Sequence, residues 1–280
     1  MIPLNRNEET VMQPGDQVRL AVLHVPHSSP VVPTEIRPAI TLSDEELEIE
    51  LLRMTDHYTD ELFQLEPWVA CSIIFPVSRL VVDPERFLDD SKEPMAERGM
   101  GVVYTRTSDG RALRGVPAQA ERTELIERFY HPHHARLEAA VAASLHFWQS
   151  CLVIDCHSCS GSPLPYEPDQ SFDRPDVCIG TDSFHTPEWL RDEARRLFEA
   201  SGFRVAIDRP YAGALVPGSY FRRTEKVLAL MVEVNRSLYM DESSGQRRSD
   251  FETQAGRIRS VLRSLIEEFR KKVLAEAKFA

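Results

Sequence analysis

The sequence contains no apolar run approaching the ~20 residues that a membrane-spanning helix requires, so no membrane partner is expected. Positive charge is in deficit. Lys and Arg number 33 against 44 Asp and Glu, a net charge of -11, which argues against a nucleic-acid surface and an anionic membrane face. A small anionic substrate remains compatible, because a few local arginines suffice to bind one. Cysteine is scarce and odd in number: five, at positions 71, 151, 156, 159 and 178. Most lie in or beside apolar runs, as buried free thiols do. Cys156-His157-Ser158-Cys159 has the form C-x-x-C, but no second pair stands at zinc-finger spacing. Reduced thiols and a cytoplasmic location are the expectation. Residues 1–17 are polar, carry acids and show no signal-peptide pattern, so they read as a flexible N-terminal arm. Neither an internal repeat nor a linker divides the remainder. Residues 18–280 therefore read as one domain, long enough for a sizeable core.

What is present centres on Cys151 to Gly161, CLVIDCHSCSG. Its first residues form an apolar, largely β-branched run that predicts a buried strand. Asp155 and His157 follow two residues apart, hence on the same side of that strand, and a turn is expected from Ser158 to Pro163. A carboxylate and an imidazole at the carboxyl end of a buried strand lie where open α/β sheets hold ligands. The competing reading is a core strand with a satisfied Asp and His at its edge.

Along the chain, Val18 to Leu23 predicts a first strand ending in His24-Val25-Pro26-His27-Ser28-Ser29-Pro30. Ser43 with Glu46 forms a capping-box pattern that opens a helix to about Phe63. Asp56 would interrupt an apolar stripe of that helix. A buried carboxylate needs a cation or several donors, so Asp56 is either a ligand or an N–H-bonded structural acid. Trp68 to Phe75 and Arg79 to Val82 read as strands, followed by a polar loop to about Pro117. Gln119 to Gln149 reads as a helix bent near Pro132. On it His133 joins an apolar face with Tyr130, Leu137 and Val141, while His131 and His134 point elsewhere. Strands at 177–182, 204–207 and 227–234 alternate with helices at 186–200 and 251–277, which favours a largely parallel or mixed sheet wrapped by helices.

Four predicted strand ends carry the same kind of residue: His24 and His27, Asp83 and Arg86, Asp155 and His157, Glu233 and Arg236. Parallel neighbours would bring them to one rim. Histidines and a carboxylate with room for water describe a catalytic zinc site, with Asp155 orienting a ligand from behind. Desolvation would push Glu233 toward a neutral pKa, which suits a general base. Arg86 and Arg236 could grip a substrate carboxylate. Against these stand the plain alternatives that Arg236 neutralises Glu233 and that Arg86 pairs with Asp83.

Six short motifs in order resemble the N-formylglutamate amidohydrolases, and more distantly the zinc carboxypeptidases and aspartoacylases. They are Pro26-His27-Ser28, Thr55-Asp56 with Asp60-Glu61-Leu62, Arg79 to Arg86, Tyr130-His131-Pro132 with His134, Asp155-x-His157-Ser158, and Glu233-Val234-Asn235-Arg236 with Tyr239-Met240. The resemblance spans roughly Leu23 to Met240. It implies a three-layer α/β/α fold of the phosphorylase/hydrolase-like type, with a mixed, largely parallel sheet. It also implies metal-dependent hydrolysis of an N-acyl amino acid. By position, one zinc ion per chain would be held by His27, Asp56 and His157, with His24 as the alternative to Asp56. Glu233 would be the general base, supported by Asp155. Arg86, Arg236, His131 and Tyr211 would form the substrate-binding set. Two positions depart from the family: Glu85 stands where it has Asn, and Ser29 where it has Gly. A non-catalytic carboxylate binder and an exopeptidase are the competing functions.

Overall fold

The computed structural model describes residues 18–278; the expected arm, 1–17, lies outside them. Six strands form one sheet: β1 (Ala21–Val25), β2 (Cys71–Ile74), β3 (Cys151–Cys159), β4 (Val177–Gly180), β5 (Val205–Ile207) and β6 (Val227–Asn235). Their order is β2-β1-β3-β6-β4-β5. The pairs from β2 through β6 are parallel, and β4 runs antiparallel to β6. Helices α1 (Asp44–Met54), α2 (Thr59–Leu62), α3 (Gln119–Leu125), α4 (His131–Trp148), α5 (Glu188–Ala200) and α6 (Phe251–Glu276) complete the chain. The three-layer, mixed-sheet architecture is the one the motifs imply. No helix among the described residues is long and apolar enough to cross a membrane.

The two faces of the sheet have different cores. Leu23, Ile154, Cys156, Leu230 and Val232 pack against α6 residues such as Ile258, Leu262 and Leu265. The alternate residues Val22, Val153 and Ala229 pack under Leu137 and Val141 of α4. Period-2 alternation then places His24, Asp155, His157 and Glu233 on the α4 face. Register confirms it: His24 is opposite Asp155, and His157 is opposite Glu233. The same face is thus apolar beneath α4 and polar beyond that helix's N-terminal end.

Four local expectations change. The helix opened by the Ser43–Glu46 capping box does not reach Phe63. It ends at Met54, and the Asp56 N–H donates to the His27 carbonyl at 2.9 Å. Asp56 is therefore buried beside β1 rather than on a helical stripe. Arg79 to Val82 is a buried turn, not a strand. There Ser78 accepts from the Leu80 and Val81 amides, and such local bonds replace a ladder. Strand β3 runs through Ser158 to Cys159, where a turn was expected. The bend of the long helix is a wide turn at Ile126–Tyr130, with Pro132 in the first turn of α4, where its missing donor costs nothing.

Candidate active site

His27 lies two residues past β1. Its Nε2 faces Asp83 Oδ1 at 2.8 Å, so Nε2–H is the donor and the lone pair sits on Nδ1. That Nδ1 is buried, has no hydrogen-bond partner, and lies 3.8 Å from Asp56 Oδ2. His157 offers its own Nδ1 to the same Asp56 oxygen at 3.1 Å. The two rings are 5.1 Å apart, centroid to centroid. Each imidazole has a carboxylate behind its far nitrogen: Asp83 behind His27, and Asp155, with Oδ1 3.2 Å from Nε2, behind His157.

These carboxylates are held charged. Burial opposes ionisation of Asp56, but the hydrogen bond from His157, the nearby His27 ring and the Arg236 guanidinium outweigh it, keeping its carboxyl well below the usual range. For Asp83, burial is overcome by Arg79, His27 and Arg86. The Asp83 carboxylate also accepts from Tyr104 Oη at 2.5 Å and from Arg79 Nη2 at 2.9 Å. For Asp155, burial is overcome by His157 and His24. For Glu233 the balance tips the other way: burial, helped by the Asp56 and Glu85 charges, outweighs His157 and Arg236 and pushes its carboxyl up to about 8.

His27, Asp56, His157, Glu233, Arg86 and Tyr211 line one cavity of about 310 Å³. Three expected residues take other positions. Arg236 reaches the cavity wall, but its guanidinium is committed to the protein. Nη2 donates to Asp56 Oδ1 at 2.8 Å and to the Ser158 carbonyl at 3.0 Å, and Nη1 to the Arg53 carbonyl at 2.6 Å. It thus neutralises Asp56, not Glu233. His131 is exposed on α4, 3.7 Å from Glu127, and is not among the residues around the cavity. Its place at the outer start of the helix points it to solvent. His24 Nδ1 faces Asp155 Oδ1 at 2.8 Å, and its Nε2 faces His133 Nε2 at 2.8 Å. It sits behind His157 rather than beside His27.

Arg86 lies 3.5 Å from Asp83, and its Nε has no hydrogen-bond partner. Asp83 is already engaged by Arg79. Arg79 and Glu85 also line the cavity. Arg79 was legible only as a member of its motif, and its spacing of four from Asp83 was the available signal. Among the described residues, His27, Glu85 and His157 form one group whose ligand atoms lie within 4.8 Å of one another, and His24, Glu85 and Asp155 form another. Buried imidazole and carboxylate donors of this kind fit a first-row divalent metal, as does the orphaned His27 Nδ1.

A family model of N-formylglutamate amidohydrolase matches residues 20–240. The chain belongs to that family. An amidohydrolase activity is therefore supported, and the motif order seen in the sequence is that of the family. Comparison with curated proteins finds no match. Two solved structures share the fold. N-formylglutamate amidohydrolase from Ralstonia eutropha JMP134 is 22% identical, with a TM-score of 0.78 over 91% of this chain and 96% of its own. The gene product Atu2144 from Agrobacterium tumefaciens is 18% identical, with a TM-score of 0.61 over 92% of each chain.

Proposed function

We propose that this amidohydrolase cleaves the amide bond of an N-formyl or N-acyl amino acid related to N-formylglutamate, with a catalytic zinc ion held by His27, Asp56 and His157. The observation that carries the reading is the convergence of His27 Nδ1 and His157 Nδ1 on Asp56 Oδ2. When bound, zinc supplies Lewis acidity toward water and toward the amide carbonyl. Asp83 fixes the tautomer that leaves His27 Nδ1 as a lone-pair donor, and His157 Nδ1 would give up the proton it now donates to Asp56 when it takes the metal. Arg236 holds Asp56 in place.

Glu233 takes the proton from the attacking water and returns it to the departing amide nitrogen. Burial raises its carboxyl to about 8, and the charge of a bound cation would draw it back toward neutrality, where one group can serve first as base and then as acid. Arg86, with its unpartnered Nε, pairs with the α-carboxylate of the amino acid. Tyr211 closes the cavity wall against the acyl or side-chain portion. His131 has no part in this scheme. A cytoplasmic location agrees with five free thiols.

The test is a panel of N-formyl, N-acetyl and dipeptide substrates scored for amine release, with metal counted in the same preparation. Amine release from N-formyl or N-acyl amino acids, lost on chelation and restored by zinc, is the expected result. Undiminished turnover by metal-free protein would sink the proposal, and release from dipeptides alone would make the enzyme an exopeptidase.

A further inference from the structure

We propose a second divalent-metal site, built from His24, Glu85 and Asp155 and lying on the far side of the His157 ring from the first. His24, Glu85 and Asp155 each bring one donor atom, all within 4.8 Å of one another. His24 Nδ1 is 2.8 Å from Asp155 Oδ1 and 3.5 Å from Glu85 Oε1. His157 Nε2 is 3.2 Å from Asp155 Oδ1 and 3.1 Å from Glu85 Oε2. A tetrahedral ion with bonds of about 2.1 Å has donors about 3.4 Å apart, and the two separations from His24 Nδ1 bracket that value.

A second observation points to a ligand. His157 Nε2 is buried and aimed between the two acids, yet makes no hydrogen bond of acceptable geometry, and the buried Glu85 Oε1 has no hydrogen-bond partner either. The nearby Arg86 is turned to Asp83 and Tyr104 instead. Asp155 keeps its other oxygen on the Leu215 amide at 3.0 Å, which anchors it without using the oxygen that faces the cluster. Two carboxylates balance a doubly charged ion, and with the His24 imidazole they suit a first-row metal. Glu85 lines the cavity, which gives the ion its path.

The experiment loads chelator-stripped full-length protein with Zn²⁺, removes loose ions by gel filtration and counts zinc by elemental analysis. Two ions per chain are expected in the wild type, and one in Glu85→Gln, which keeps the shape of the side chain. His24→Asn provides a second variant, also expected at one. His27→Ala should retain one, held by the second site. One ion in the wild type, or two in both Glu85→Gln and His24→Asn, overturns the second site. Two ions in His27→Ala together with one in Glu85→Gln would instead remove the first donor set and leave the second standing.

Discussion

His157 and Glu233 are register partners on the parallel strands β3 and β6, so their side chains emerge side by side on one face of the sheet. Neighbouring backbone pairing, rather than a flexible loop, sets the distance between the imidazole and the buried acid. Rigid elements of this kind hold catalytic groups better than loops do.

Glu233→Gln separates chemistry from metal holding. The carboxamide fills the same space but cannot carry a proton between water and amine. Turnover should fall by roughly 10²–10⁴, with zinc content unchanged by elemental analysis. Full activity in this variant would remove Glu233 as the base.

Asp83→Asn tests the support behind His27. The amide can present its N–H to Nε2 and force the proton onto Nδ1, blocking that donor. Zinc affinity, read by competition with a chromophoric chelator, should weaken by roughly 10–100-fold. Unaltered affinity would show that the tautomer is set elsewhere.

Arg86→Gln should act on binding. Loss of a charge-assisted contact of about 1.5–3 kcal/mol predicts a KM raised at least tenfold for N-acyl amino acids, with a smaller change in kcat. Substrate analogues whose carboxylate is amidated should be hydrolysed equally by both proteins. An equal loss on the amidated analogues would mean that Arg86 serves the fold through Asp83.

Acid lability should trace partly to His134. Burial holds its imidazole down to about 4 in the folded chain, against an unfolded value near ~6.5. Its contribution is therefore complete above about 6.5 and is lost as pH falls through about 4. The full effect is at most about 3 kcal/mol. Denaturant titrations at pH 7 and pH 5 should show the wild type losing stability on acidification. His134→Gln, which keeps a donor for the Pro84 carbonyl, should lose less. Parallel losses in the two proteins would place the titration elsewhere.

Much of this site was legible in the sequence because strands expose it. Asp155 and His157 obey a period of two, and burial of the run around Glu233 follows from its apolar neighbours. Asp56 was legible for a reason that does not hold. It interrupts a helical stripe only if the helix continues, and the helix ends where the Asp56 N–H meets the His27 carbonyl. That bond joins residues 29 apart in the chain, and no local pattern reports it. The partner of Arg236 was hidden for the same reason: Glu233 is near in sequence, but Asp56 is near in space. Arg79 to Val82 has strand composition, yet the Ser78 and Asp83 side chains take its amides and those beyond it. Glu85 stood out only as a departure from the family. Its reach to both His157 and His24 depends on the turn after Asp83.

The same Asp56–His27 main-chain bond limits how the chain can vary in length. It clamps two donor-bearing residues together while α1 is fixed at its other end by the Ser43–Glu46 capping box. One residue inserted between those anchors would rotate the helix exit by about 100° and carry Asp56 away from both histidines. Insertions should thus be rejected between residues 43 and 55 by any selection for activity.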